Sequence, residues 1–255
     1  MSMFLISETL LQDRGAPTQA APPSPATSWY ASIKYVLEFV IALFLLILTA
    51  PLILFAIILI KLTSPGPVIY SQTRIGLGGK PFTIYKLRTM THDCESLTGP
   101  QWATPGDGRV TPVGRWLRKL HIDELPQLWN VLIGDMSLIG PRPERPEFLP
   151  QLEQAIPLYR QRLDVRPGIT GFAQIQLPPD SEIDDVRIKL AYDLHYVHHL
   201  GFWLDVSIYF GTVLKLIGLT YDAIRSMCWF PLRDAVDDEY RSMIDTASRA
   251  PQGAG

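Results

Sequence analysis

A mostly helical α/β domain held against a membrane is the fold class that the sequence predicts, and three observations predict it. One long apolar run stands near the N-terminus. A short alternating stretch interrupted by a glycine cluster follows and reads as a β-hairpin. The remainder carries apolar residues at helical spacing, punctuated by proline and glycine. A chain of 255 residues holds one substantial domain with additions rather than two independent ones. A net charge of -2 provides no global basic field, so nucleic acid is not expected as a partner. Phosphate binding would have to come from local clusters of Lys and Arg. Cys94 and Cys228 have no metal-ligand spacing and are too few for a disulfide scaffold, which points to a reducing compartment.

The apolar run covers Phe39 to Ile60 without a charged side chain. As a straight helix it would be roughly 33 Å long, about one hydrocarbon core. It starts too far into the chain, is too long and lacks the following cleavage site of a secretory signal. A buried core helix is the alternative, but a helix that is apolar all round and bounded by Glu38 and Lys61 suits lipid. Pro51, near its middle, removes a backbone hydrogen bond and clashes with the preceding turn. The segment therefore either spans with a kink or turns back at Ala50-Pro51, with the Thr49 hydroxyl meeting freed carbonyls. Composition alone favours the kinked span. Lys61, Arg74, Lys80, Lys86 and Arg88 follow the run, whereas only Arg14 and Lys34 precede it, so the C-terminal side is expected in the cytoplasm.

Residues 12–28, rich in Pro, Ala, Ser and Thr, read as a disordered linker, and 234–255 as a loose polar tail. Val68 to Gln72 and Phe82 to Arg88, joined by Gly76-Leu77-Gly78-Gly79, predict the hairpin. The glycine cluster lacks the G-K-[ST] ending of a phosphate loop. Residues 91–110 read as a long loop. Helices are expected over 112–120, 124–133 (Leu125, Leu128, Trp129 and Leu132 at i, i+3, i+4, i+7), 145–163 and 181–198. The stretch 201–219 suits either an interfacial helix, with Phe202, Trp203 and Tyr209 near the headgroups, or a core helix of the domain.

The richest chemistry lies in His121-Ile122-Asp123-Glu124-Leu125-Pro126-Gln127. Two adjacent carboxylates open a helix, and Pro126 falls in its tolerant first turn. Free N–H groups and the dipole there would keep Asp123 ionised, as a nucleophile or metal ligand requires. The plainer reading makes Asp123 an N-cap and Glu124 a first-turn acid. Arg142, stiffened by Pro141 and Pro143, offers a pre-positioned guanidinium for phosphate oxygens, or a loop arginine paired to a carboxylate. Arg166-Pro167-Gly168 repeats the Arg-Pro pattern before a glycine-rich turn. Lys86, Arg88, Arg115 and Arg118 are further cationic candidates, each singly a plausible surface charge. An acidic pair with several rigidly placed cations suits phosphoryl transfer at a divalent-metal-bound pyrophosphate. His121, His195, His198 and His199 form no zinc pattern: His195 has helical spacing to His198 and His199, but no third ligand is evident. Cys94 reads as a free thiol.

Taken together, these stretches resemble the bacterial sugar transferases, the monotopic phosphoglycosyl transferases. The matching features are the apolar segment with its mid-run proline, Tyr85-Lys86-Leu87-Arg88-Thr89-Met90, Asp123-Glu124-Leu125-Pro126-Gln127 and Asn130-Val131-Leu132-x-Gly134-Asp135-Met136-Ser137. Gly140-Pro141-Arg142-Pro143-Glu144-Arg145-Pro146-Glu147-Phe148 and Arg166-Pro167-Gly168-Ile169-Thr170-Gly171 complete the set, from about Lys34 to about Ile217. The resemblance implies that Asp123 attacks the sugar-bearing phosphate of a UDP-sugar, releases UMP and forms a covalent phosphosugar. Undecaprenyl phosphate, a polyprenyl phosphate, would then accept the sugar phosphate. It implies Mg²⁺ at Asp123 and Glu124, basic contacts to phosphates from Lys86, Arg88, Arg118, Arg142 and Arg166, and a site on the cytoplasmic face of the bacterial inner membrane.

It also implies a re-entrant helix-break-helix turning at Pro51, set in membrane lipid, with amphipathic interfacial helices beside a compact α/β domain. The expected organisation is then a disordered extension over 1–33, the re-entrant segment over 34–62, the catalytic domain over 63–220 and a tail over 221–255. A homodimer is left open. Where the family often carries Lys-Arg-x-x-Asp, this chain has Lys34-Tyr35-Val36-Leu37-Glu38, a charge pair in altered form. The extra N-terminal spans of larger members have no counterpart in this sequence. The Glu144 to Phe148 extension points to the exopolysaccharide-initiating branch.

Overall fold

The computed structural model describes residues 29–94, 99, 106–178 and 183–249. Most of the expected disordered extension, part of the 91–110 loop and the last residues of the expected tail lie outside the described residues. The apolar run forms α1, Trp29–Thr63, a single helix of 35 residues with Pro51 inside it. It is one helix through the proline rather than two helices joined by a break. The Thr49 hydroxyl donates to the Leu45 carbonyl at 2.7 Å, two residues before the Ile47 carbonyl that Pro51 deprives of a partner. Much of the surface of α1 is bare, with Val40, Phe44, Ile47, Leu48, Leu54, Phe55 and Ile58 exposed.

One narrow face of α1 is buried, and it runs the length of the helix. Ala42, with Leu45 and Leu46, packs on Ile84, Leu128, Val131, Met136 and Leu138. Ala56 and Ile60, with Ile53 and Ile57, pack on Leu87, Leu117 and Ile122. Small side chains at Ala42 and Ala56 let the domain approach the helix backbone closely. The domain thus touches α1 on both sides of Pro51.

The expected hairpin is present. β1 (Ile69–Ile75) and β2 (Pro81–Leu87) pair antiparallel from Ile69↔Leu87 to Ile75↔Pro81. Gly78 and Gly79 take positive φ in the turn, where L side chains are strained. α2 covers Pro112–Lys119 and is capped by the Thr111 hydroxyl, which accepts from Gly114 N at 2.9 Å. α3 covers Gln127–Leu132. A second, parallel pair joins β3 (Ser137–Ile139) to β4 (Gly168–Thr170). Here Gly140 and Gly168 cross: a Cβ on Gly140 would lie 2.3 Å from the Arg166 carbonyl, and one on Gly168 would lie 2.1 Å from Gly140 N. That contact explains why both Arg-Pro motifs abut glycine.

The C-terminal half is helical: α4 (Leu149–Ala155), α5 (Phe172–Gln176), α6 (Ile183–His198), α7 (Phe202–Leu216), α8 (Tyr221–Met227) and α9 (Arg233–Arg249). Its core is built around Phe172, Tyr192, Tyr196, Leu190 and Ile208. Three expectations need correction. The helix over 145–163 is split into α4 and a 3-10 segment at Tyr159–Asp164, because Pro157 cannot continue the helix and Leu158 sits at φ 62. The tail from 234 is largely α9, which buries Val236 and Tyr240 against the core. On α7 the core reading holds for one face only. Asp205, Ile208, Gly211 and Leu214 are buried, while Phe202, Trp203, Val206, Phe210 and Val213 are exposed. Tyr209 faces inward, packed against both cores, rather than standing with Phe202 and Trp203.

Candidate active site

The acidic pair sits where α2 turns into α3. After α2 the chain reverses at His121, a non-glycine residue at φ 54, and forms a 3-10 turn over Ile122–Glu124. The expected helix from 124 to 133 is therefore shortened to α3 behind this turn. Ile122 plugs into the Leu87 and Leu117 cluster and fixes the turn. A 3-10 turn advances about 120° per residue, so neighbouring side chains diverge. Asp123 and Glu124 consequently meet different surroundings.

Glu124 Oε1 accepts from Lys86 Nζ and from Arg142 Nη2, each at 2.8 Å. Burial alone would push this carboxyl up, but the Arg142 and Lys86 cations outweigh it and hold the group well below the usual carboxylate range. Arg142 is in turn stabilised as a cation, chiefly by Glu124. Burial draws the Lys86 ammonium down, against the pull of Glu124. Asp123 is shifted the other way. Burial raises its pKa, the Glu124 charge adds to this, and Lys86, Arg118 and His121 oppose it. The expectation of an Asp123 kept ionised by a helix N-terminus is thus replaced by a desolvated carboxyl. Among the described residues, no side chain or backbone amide donates a hydrogen bond to it.

Lys86 is placed by β2, and β2 is locked to α3 by Asn130. The fully buried Asn130 amide accepts from Tyr85 N at 3.2 Å and donates to the Thr83 carbonyl at 2.7 Å. It thereby acts as a short strand on the free edge of β2. Arg142 is placed by a pinned loop. Arg162 donates to the Arg142 carbonyl at 2.8 Å, and Arg74 donates to the Pro143 carbonyl at 3.1 Å. Arg118 reaches the same region from α2, donating through Nε to the Thr89 hydroxyl at 2.8 Å.

Arg88 and Arg166 are committed elsewhere. Arg88, buried, donates to the carbonyls of Ser64 and Pro65 and to the Ser64 hydroxyl, so it closes the C-terminal end of α1. Arg166 lies over the Tyr35 ring at 4.0 Å and fastens the other half of α1. Residue type alone gives no means of separating these two arginines from Arg142.

The carboxylate oxygens of Asp123 and Glu124 fit a hard divalent cation such as Mg²⁺. One of the two acids is uncommitted in this arrangement, while the other already neutralises two cations. An open carboxylate beside clamped cations can attack, or help hold, a phosphorus centre whose oxygens the cations neutralise.

Comparison with known proteins shows the family. A profile of the family described as "Bacterial sugar transferase" matches residues 29–218, which include both acids and all the cations above. The chain belongs to the bacterial sugar transferase family. It is 48% identical over 195 residues to a UDP-N-acetylgalactosamine-undecaprenyl-phosphate N-acetylgalactosaminephosphotransferase of Aeromonas hydrophila, a match covering 76% of this chain and 45% of that protein. It is 48% identical over 186 residues to a UDP-glucose:undecaprenyl-phosphate glucose-1-phosphate transferase of Caulobacter vibrioides, covering 72% and 69% respectively. A protein of the same description from Escherichia coli is 37% identical over 213 residues, covering 83% and 46%. The chain thus spans about half the length of two of these relatives and about two thirds of the other.

Within this family member, sequence reading missed Arg162, Arg74 and Lys215. Arg162 and Arg74 act through the loop carbonyls that carry Arg142. Lys215, on α7, donates to the Gln174 carbonyl and is close enough to Arg142 and Glu124 to feel both charges. Its charge in a helix whose other charged residue is Asp205 alone was the available signal.

Proposed function

We propose that this chain transfers a sugar 1-phosphate from a UDP-sugar to a polyprenyl phosphate of the undecaprenyl class. UMP is released, and a covalent phosphosugar forms on Asp123. The observation that carries the reading is the divided dyad: Asp123 uncommitted and desolvated, Glu124 clamped between Lys86 and Arg142. The printed descriptions of the relatives, all undecaprenyl-phosphate sugar phosphotransferases, support the two substrate classes.

In the first step an Asp123 carboxylate oxygen attacks the sugar-bearing phosphorus. The bond from that phosphorus to the bridging oxygen breaks, and UMP leaves with the bridging oxygen and its electron pair. In the second step a phosphate oxygen of the polyprenyl acceptor attacks the same phosphorus and frees Asp123. Lys86 and Arg142 neutralise charge on the phosphate oxygens, and Arg118 favours the ionised nucleophile. Mg²⁺ held at Asp123 and Glu124 would neutralise the pyrophosphate. Burial of Asp123 removes water that would otherwise compete for the phosphosugar. The product is a lipid-linked sugar diphosphate, the starting unit for an exopolysaccharide or related glycoconjugate.

We further propose that α1 is re-entrant: it bends at Pro51 and enters one leaflet of the inner membrane from the cytoplasmic side. The contacts of α1 support this. Tyr30 donates to Asp205 at 2.6 Å, while Ile60, 30 residues further on, packs with Leu117 and Ile122. Along a straight helix these points are roughly 45 Å apart, more than a hydrocarbon core. A perpendicular span would draw polar parts of one folded domain into lipid.

The test is a panel of nucleotide sugars with undecaprenyl phosphate, read by the nucleotide released. UMP from the wild type, and none above background from Asp123→Asn, is the expected result. Release of UDP instead would mean an ordinary glycosyltransferase, and near-normal UMP from Asp123→Asn would remove the covalent mechanism.

A further inference from the structure

On the C-terminal helical side of the domain, α6, the turn that follows it and α9 bring together His195, His199 and Glu239. His195 Nδ1 lies 2.5 Å from Glu239 Oε2, and His199 Nδ1 lies 3.5 Å from Glu239 Oε1. The imidazole rings stack at 4.3 Å. One ligand atom from each residue lies within 4.8 Å of the other two. We propose that His195, His199 and Glu239 form a site for a borderline transition-metal cation of the Zn²⁺ class, which fastens α9 to α6. The histidines alone lacked a third ligand; the fold supplies it from 44 residues beyond His195.

Three features carry the proposal. Two imidazoles at i, i+4 with a carboxylate from a neighbouring helix are a donor set that Zn²⁺ takes up, and one that hard Mg²⁺ does not favour. His199 Nδ1 is 3.0 Å from the His195 carbonyl. A carbonyl only accepts, so Nδ1 carries the proton and Nε2 keeps its lone pair, the tautomer a metal ligand requires. The rearrangement needed is small. Ligands about 2.1 Å from a shared tetrahedral metal are about 3.4 Å apart, so the widest separation closes by roughly 1.4 Å. Half-exposed His199 and Glu239 can swing that far, while His195 is held by its stack on Phe172 at 5.1 Å. Glu239 lies beyond the family match, which ends at 218.

The experiment uses the full purified chain in detergent, treated with chelator and desalted, then titrated with Co²⁺ and competed with Zn²⁺. One equivalent should bind with Kd below about 10 μM. His199→Ala and Glu239→Gln, shown to be folded by circular dichroism, should each weaken binding about tenfold or more. The Zn²⁺-competed equivalent lost in the site variants should persist in Asp123→Asn. Zn²⁺ should raise the unfolding temperature of the wild type but of neither site variant. A Kd above about 10 μM for the wild type, or affinity unchanged in both site variants, overturns the proposal and leaves ordinary histidine–glutamate pairs.

Discussion

Replacing Asp205 should loosen the membrane helix from the domain, and the structure says by how much. Asp205 is 2% exposed and accepts from Tyr30 at 2.6 Å, Lys34 at 2.7 Å and Tyr196 at 2.9 Å. Lys34 is also paired with Glu38 at 2.7 Å, and Glu38 accepts from Ser137 and from Ile139 N. Asp205→Ala removes one partner of a buried pair and the Asp205 acceptor of the Tyr30 hydroxyl, while Tyr196 retains the Ile139 carbonyl at 3.2 Å. Breaking such a pair costs about 3–5 kcal/mol, because a buried charge is left short of compensation. For a domain of this size each kcal/mol lowers Tm by about 2–4 °C, so a fall of roughly 6–20 °C is expected.

Asp205→Asn is the informative companion. Its carbonyl can still accept from Tyr30 and Lys34, and its amide can donate to Tyr196 once that hydroxyl turns to Ile139. Only the charge is lost, a deficit of about 1–2 kcal/mol and roughly 2–8 °C. Thermal unfolding in detergent, followed by far-ultraviolet circular dichroism, reads both variants. An Asp205→Ala protein that melts within about 2 °C of the wild type would refute the idea that this buried network anchors α1.

Asp123 and Glu124 should part company in stability as well as in activity. Asp123→Asn should cut UMP release by at least about 10³-fold without lowering Tm, because burial already disfavours its charged form. Glu124→Gln should lose activity and also stability, measured by UMP release and unfolding together. Glu124 has a depressed folded pKa, so its stabilising contribution is present above the ordinary glutamate pKa and lost as pH falls through the folded value. Activity should vanish in EDTA and return with Mg²⁺; full turnover in chelator, with no metal by elemental analysis, would exclude the cation. With Cys94 and Cys228 replaced and a single cysteine at Ser24, a membrane-impermeant maleimide should leave intact cells unlabelled. Labelling before lysis would place the N-terminus outside and rule out the re-entrant form.

What could be read from the sequence was local. The β1–β2 hairpin follows from alternation around a glycine turn, α6 from 3.6-residue spacing, and the membrane helix from its unbroken apolar run. Where a single residue overrides the pattern, reading fell short. The left-handed His121 and Pro126 trade the first turn of α3 for a 3-10 turn, and Leu158 after Pro157 ends α4. The signal for α9 was in plain view, since Val236, Tyr240, Met243 and Ile244 fall at i, i+4, i+7, i+8 and all pack on the core. Its polar, acidic surroundings hid it. The cations were found as a set but not by role. Arg88 and Arg166 hold the two ends of α1, and only long-range contacts separate them from Lys86 and Arg142.

That division of labour ties membrane and chemistry together. β2 carries Lys86 to Glu124, and Arg88, the residue just after it, reaches the end of α1. Arg142 and Arg166 leave the crossed Gly140 and Gly168 backbones, one toward the dyad and the other toward Tyr35 on α1. Each strand pair therefore sends one cation to the site and one to the membrane helix. Displacing α1 would drag on both cationic walls of the site at once, through segments only a few residues long. The clamp on Glu124 and the contacts that hold α1 are thus carried by the same two backbone segments.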